Sequence, residues 1–232
     1  MAARGGGQLF IVSGPSGSGK STVVRHILTA VPDMMFSVSY TTRPPRGDEQ
    51  DGRDYRFVSR ADFEAMLGRD ELLEHAEVFG NYYGTHRNAL AEAKRQGKDV
   101  VLDIDVEGTR QVKSRLADAV AVLLVPPSAQ ELQRRLQGRA LDTPEMVRQR
   151  LERARQEIEN YALYDYIVIN RVLADTCAQV EAIVRAERHR RGDARLGVAE
   201  ARRAEQQAAA ARRDANKTQV SAILESFGAQ QP

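Results

Sequence analysis

The 232-residue chain has a single cysteine, Cys177, and no tryptophan. One cysteine excludes an intrachain disulfide and fits a reducing compartment, so the expected location is cytoplasmic. No apolar run approaches the about 18 residues that a transmembrane helix needs. The N-terminal MAARGGGQ lacks the apolar stretch of a secretory signal. Charge of one sign is scarce too. The formal net charge of +2 favours neither nucleic acid nor a membrane surface as partner. What excess exists lies at one end: residues 189–232 carry eight Lys/Arg against five Asp/Glu, or +3, and the remainder is close to −1. Apolar and charged contents, 42% and 28%, are ordinary for a soluble globular protein. The length allows one α/β domain with a good core plus an insertion or a tail. No internal repeat is visible.

Residues Gly14 to Ser21 are the strongest signal present. They read GPSGSGKS and fit G-x-x-x-x-G-K-[ST]. Leu9 to Val12 before them form an apolar run that reads as a buried strand. Thr22 to Thr29 after them place Val23, Val24, Ile27 and Leu28 at helical spacing. Strand, glycine loop and helix let backbone N–H groups curl around a phosphate. Gly14, Pro15, Ser16, Gly17, Ser18, Gly19, Lys20, Ser21 and Thr22 are therefore the candidate triphosphate contacts. Lys20 would reach the β- and γ-phosphates, and the Ser21 hydroxyl would meet Mg²⁺. The motif implies a nucleoside triphosphate without saying which reaction follows.

Further along, strands alternate with helices, which predicts a mostly parallel sheet with helices on both faces. Strands are expected at Phe36 to Tyr40, Tyr55 to Val58, Val100 to Asp105, Ala119 to Val125 and Tyr166 to Asn170. Helices are expected at Arg60 to Arg69, Arg87 to Gln96, Gln130 to Gln137, Pro144 to Tyr164 and Asp175 to Arg188. Gly80 to Gly84 reads as a polar turn. Residues 37–85 interrupt the alternation and read as an inserted subdomain. Residues 195–214 are helix-prone but have almost nothing to bury. Val220, Ile223, Leu224 and Phe227 then recur at i, i+3, i+4 and i+7, a short amphipathic helix. Its stripe is either a solvated face or a surface that docks on the body or on a second copy of the chain.

A second constellation is the loop Ser39 to Gly47. Arg43 and Arg46 are three apart on a proline-bent segment, and each offers a planar fork that matches phosphate. Tyr55 and Tyr83 could add hydroxyl donors. Asp103 and Asp105, at i and i+2, would face one side of a strand and call for a cation or donors to meet them.

The segments VSYTTRPPRGDEQDGRDYRFV, LLEHAEVFGNYYGT and VLDIDVEG, behind GPSGSGKST, resemble the guanylate kinase family in order from about Leu9 to Arg188. The resemblance implies ATP + GMP ⇌ ADP + GDP in purine nucleotide metabolism, with dGMP as a second acceptor and no nucleic acid or membrane partner. It implies a P-loop NTPase-type α/β fold with an inserted α+β nucleoside-monophosphate-binding subdomain, a helical lid and a helical C-terminal extension. On that reading residues 1–192 form the kinase-like unit, with core 9–36 and 86–188, GMP-binding insertion 37–85 and lid about 134–155. Residues 193–232 form the extension. By resemblance Glu74 takes guanine N1–H and the exocyclic amine, and Ser39 and Thr85 donate toward O6 and N7. Arg43, Arg46, Tyr55 and Tyr83 match the clamp on the GMP phosphate. Asp105 matches an acid near the guanine edge and the clamp arginine, and Asp103 a carboxylate facing Mg²⁺ through water. Arg135, Arg139 and Arg150 match lid arginines that close over ATP, and Asn170 an asparagine near the adenine.

Two positions depart from the family pattern. Ala140 follows Arg139 where Gly is usual, and Arg171 follows Asn170 where an acid is usual. Two other functions compete. Guanylate-kinase-like domains of scaffold proteins bind peptides without catalysis, but typically with a degraded P-loop. A kinase for another phosphorylated small molecule would not need Glu74 with Ser39.

Overall fold

The computed structural model describes residues 7–78, 80–138, 143–193 and 196–228. β1 (Leu9–Ser13) leads through the glycine loop into α1 (Lys20–Ala30), and the chain returns through β2 (Met34–Phe36). A smaller group follows: β3 (Tyr40–Thr41), β4 (Arg56–Phe57), α2 (Arg60–Gly68), β5 (Leu72–Val78) and β6 (Asn81–His86). The main alternation then resumes with α3 (Asn88–Arg95), β7 (Asp99–Asp103), α4 (Val106–Arg115), β8 (Val120–Val125), α5 (Ala129–Gln137) and α6 (Pro144–Glu159). A 3-10 turn at Tyr161–Leu163, β9 (Tyr166–Ile169), α7 (Leu173–Arg190), α8 (Val198–Ala210) and α9 (Arg213–Gly228) complete the order.

The main sheet has the order β2-β7-β1-β8-β9, and every neighbouring pair is parallel. Its central strands are apolar at nearly every position because both faces are covered. Alternate residues go to opposite faces. Leu9, Ile11, Leu102 and Leu123 pack with Val112 of α4, Leu132 and Leu136 of α5 and Ile158 of α6. Phe10, Val12, Val101 and Leu124 pack with Val23 and Ile27 of α1 and Val180 and Ile183 of α7. Because the strands are parallel, the ends of β1, β7 and β9 reach the same rim, where ligands bind in open α/β sheets. The second sheet has the order β4-β3-β6-β5 and is mixed, with only β3 and β4 parallel. α2 meets this sheet through buried Phe63, whose ring stacks on Tyr82 of β6 at 5.2 Å.

Several expectations change. Phe36 to Tyr40 is not one strand: β2 ends at Phe36 in the main sheet, and β3 begins at Tyr40 in the second. The alternation FSVSY marks a crossing between sheets. Asn81 to Gly84 is not a turn but most of β6, paired antiparallel with β5. Asp105 is not on the strand, because β7 stops at Asp103 and Asp105 caps α4, its carboxylate accepting the Gly108 N–H at 2.9 Å. The long helix from Pro144 ends at Glu159.

The tail is packed. Ala201, Ala204 and Ala208 of α8 are buried, so the stretch expected to bury almost nothing lies on α7 through its alanines. Small side chains let the two helices approach closely. Val220, Ile223 and Phe227 of α9 enter the core on the opposite face, beside α5 and α6. The docked alternative is the one the structure shows. Between α8 and α9 the chain runs along β9: Ile167 donates its N–H to Ala211 O at 2.8 Å, and Arg213 donates to Asp165 O at 3.1 Å. Among the described residues no helix is long and apolar enough to cross a membrane.

If the α9 stripe is core, Ile223→Ala should destabilise the protein by about 2–4 kcal/mol. A solvated stripe would keep the change within about 0.5 kcal/mol. Urea unfolding with an unchanged denaturant slope reads the difference.

Candidate active site

The glycine loop is held at the end of β1 by backbone contacts that admit no side chain at Gly14. A Cβ there would lie 2.1 Å from Leu124 O, and φ is 139°. α1 starts without a side-chain cap or an acidic residue in its first turn. Its leading N–H groups and dipole are therefore available to an anion. Lys20 lies back along the loop and donates to Gly14 O at 2.6 Å. Ser18 is buried, and its carbonyl accepts from the Asn170 amide at 2.8 Å. Asn170, at the end of β9, also takes the Thr176 hydroxyl at 3.1 Å and is 3% exposed. Its amide thus holds the loop to β9. Thr22 lies exposed on the first turn of α1.

A cleft of about 510 Å³ opens between the loop and α6. Gly14, Pro15, Ser16 and Lys20 form one wall, Asp103 and Asp105 the floor, and Arg150, Arg153 and Glu157 the other wall. The last three sit at i, i+3 and i+7, one face of a helix. That spacing would have singled out Arg153 and Glu157, which otherwise read as solvated charges. Gly17 lies outside this wall, against Leu132 and Leu136 of α5. Ser21 donates to Asp103 at 3.5 Å. Burial pushes the Asp103 carboxyl up, and Lys20 and Ser21 pull it down. One hydroxyl and one carboxylate suit a hard cation such as Mg²⁺, which takes its other ligands from phosphate and water. Burial also raises Glu157, against Lys20 and Arg153.

Arg135 is not in the cleft wall. It is gripped by Glu131 at 2.8 Å and donates to Asn170 O at 2.8 Å. Bonds from Arg134 and Arg135 hold the Glu131 carboxyl down to about 2. Arg139 and Ala140 lie outside the described residues.

On the second sheet Arg43 is buried and fully engaged. Both its terminal nitrogens donate to Glu49, at 2.8 and 2.9 Å. The guanidinium lies over Tyr55 at 5.2 Å, and Tyr55 meets Tyr83 edge-on at 5.9 Å. Glu49 also accepts the Arg46 backbone N–H at 2.8 Å, which fixes the loop, while the Arg46 side chain is exposed. Spacing gave no hint of Glu49, since six loop residues carry no periodicity. Ser39 sits just before β3, its carbonyl taking the Arg56 N–H at 2.8 Å.

Glu74 on β5 is 5% exposed. Thr85 on β6 donates its hydroxyl proton to Glu74 Oε1 at 2.6 Å, so in this structure that proton is turned to the carboxylate rather than outward. Oε2 lies against Gly108 of α4, where a Cβ would stand 2.9 Å away. A larger residue would displace the carboxylate. Burial pushes Glu74 up to about 7, with the Asp105 charge adding to it and the Thr85 bond opposing it. Asp105 faces Arg153 at 3.8 Å, not Arg43. It therefore stands between the Glu74 pocket and the cleft.

Residues 6–187 match a model of the guanylate kinase family. The chain belongs to that family. It is 49% identical over 225 residues to the guanylate kinase of Koribacter versatilis (strain Ellin345), across 95% of this chain and 96% of that one. With the guanylate kinase of Alkalilimnicola ehrlichii it shares 46% over 184 residues, across 79% and 91%. The crystal structure of guanylate kinase from Anaplasma phagocytophilum superposes with a TM-score of 0.64 at 34% identity, covering 79% of this chain and 87% of that one. The chain is thus an enzyme of the guanylate kinase family, and α8 and α9 lie beyond the family-matched residues.

Glu74 binds its proton more tightly folded than unfolded, where its value is 4.5. Stability should therefore fall as pH rises from about 4.5 through about 7, by about 3 kcal/mol from this group. Glu74→Gln should flatten unfolding free energy across that window. An unchanged slope would mean that another group carries the effect.

Proposed function

We propose that this chain transfers the γ-phosphoryl group of ATP to the phosphate of GMP, giving ADP and GDP. Family membership supports the reaction, and the Glu74 pocket carries the choice of base. A buried carboxylate with one oxygen on Thr85 and a value near 7 wants donors. Guanine offers N1–H and an exocyclic amine, which would favour the charged form. Adenine would present a bare acceptor and leave the carboxylate unpaired, at a cost of about 1–3 kcal/mol or more. Ser39 would donate on the O6 and N7 side, and Thr85 would join it by turning its hydroxyl proton away from Glu74. The recognition set addresses base and phosphate, so dGMP serves as a second acceptor. The role belongs to purine nucleotide metabolism.

Arg43, Arg46, Tyr55 and Tyr83 hold the acceptor phosphate. Arg43 enters that role from its Glu49 pair, so the phosphate joins or replaces a carboxylate already shaped for a guanidinium. Lys20 leaves the loop carbonyls for the β- and γ-phosphates, and the α1 amides hold the triphosphate. An acceptor phosphate oxygen bonds to the γ-phosphorus as the bond to the bridging β,γ-oxygen breaks, and ADP leaves with that electron pair. The acceptor is already anionic, so no general base is required. Arg150 would stabilise the charge spread over the migrating group from the cleft wall, and Arg139 and Arg135, the latter held outside that wall by Glu131 and the Asn170 carbonyl, would join it when the helices close over ATP. Ser21 and Asp103 would hold Mg²⁺, which when bound neutralises phosphate charge. Asn170 keeps the loop at the adenine side.

ADP formation with ATP and Mg²⁺ should be confined to GMP and dGMP when IMP, AMP and UMP are also offered. Lys20→Ala should abolish transfer with the fold intact. Transfer to AMP or UMP would overturn the base-recognition argument.

GMP binding should also displace the Glu74 proton. At pH 7 the wild type should release about half a proton more per GMP than Glu74→Gln does, since a value near 7 leaves the group half protonated. Calorimetry in buffers of differing ionisation enthalpy measures the count. Equal counts would remove Glu74 from the base pocket.

A further inference from the structure

We propose that α9 is a positioning element for the donor side of the active site, acting on Arg135 through the start of α5 and on Arg150 through α6. This rests on the donor-site reading given above. The first turn of α5 has N–H groups with no partner inside the helix. Ser128 caps one of them, that of Glu131, and Ser226 of α9 takes another, accepting from Ala129 at 2.9 Å. Ser226 is itself fixed by donating to Ile223 O at 2.6 Å. The same first turn carries Glu131, which grips Arg135, which donates to Asn170 O. A line of hydrogen bonds and one helical turn thus joins α9 to a lid arginine and to the asparagine that holds Ser18 of the glycine loop.

The packing follows the same direction. Val220, Ile223 and Phe227 share a core with Leu132 and Leu136 of α5 and Val147 of α6. Leu132 and Leu136 in turn abut Gly17 of the loop. A second tie crosses the site's edge, where Arg171, next after Asn170, donates to Gln219 of α9 at 3.2 Å. The main packing partners of α9 are α5, α6, α8 and β9, none of which belongs to the second sheet. Its influence should therefore fall on ATP and spare GMP. A helix that only filled core would change the folded fraction, and so Vmax and Tm, and leave KM and Kd for both substrates as they are.

The full-length Ser226→Ala variant removes the acceptor at Ala129 with little change in volume. Ser226→Thr keeps a hydroxyl there. Three quantities are measured: KM for each substrate, the ATP dissociation constant by calorimetry, and Tm. The proposal expects KM and Kd for ATP to rise about two- to ten-fold in Ser226→Ala, the scale of one lost hydrogen bond. KM for GMP should stay within about two-fold, and Ser226→Thr should keep the ATP values of the wild type. Unchanged ATP binding in Ser226→Ala, or equal rises in both KM values, would overturn it. If wild type transferred nothing to GMP, the functional reading would fall. ATP Kd would still decide this proposal, supporting it if it rose in Ser226→Ala and overturning it if it did not.

Discussion

The burial of both faces of one parallel sheet governs the rest of this molecule. Its central strands are apolar at nearly every position, so each face must be covered by helices before any of them is stable. Parallel pairing then brings the glycine loop, Asp103 and Asn170 to one rim without further instruction. Covering is shared unequally along the chain. α8 completes the face begun by α1 and α7, and α9 completes the face begun by α4, α5 and α6. The tail is therefore structural on both sides, and its second half packs against α5 and α6, the helices that bear Arg135 and Arg150.

In the proposed function the two substrate sites handle charge in different ways. On the proposed acceptor side the guanidinium of Arg43 is presented already paired, so a phosphate would find an oriented fork and a competitor. Glu74 follows the opposite logic. Its site is nearly dry, Thr85 satisfies one oxygen, and the remaining demand is left for the ligand. On the proposed donor side Lys20 rests on the loop carbonyls, a contact that phosphate oxygens would replace. Each charge is pre-oriented by a partner that a substrate can outcompete or complement.

Much of this was legible in the chain. The glycine loop could be read because each position has a separate physical duty. Glu74, Asp103 and the candidate clamp residues were named through a resemblance, and the structure groups Arg43 with Tyr55 and Tyr83, and Glu74 with Thr85. Other features were hidden for definite reasons. FSVSY alternates like one strand, yet Ser37 to Ser39 cross from one sheet to the other. α4 follows its strand with only Asp105 as a start signal, because Glu107 and Gly108 interrupt any apolar periodicity. The alanines of α8 looked too small to matter, although small size is what allows close approach to α7. Glu49 answers Arg43 through loop shape, which no period encodes.

The segment between α8 and α9 has a consequence in time. Ile167 and Asp165 engage Ala211 and Arg213, which closes the outer edge of β9 against other strands. That cover is made about 40 residues after β9 itself leaves the ribosome. Until then a nascent chain carries an apolar edge strand with free backbone donors and acceptors, the kind of surface that seeds association between unfinished copies. The later α7 and α8 are made, the longer that edge stands open.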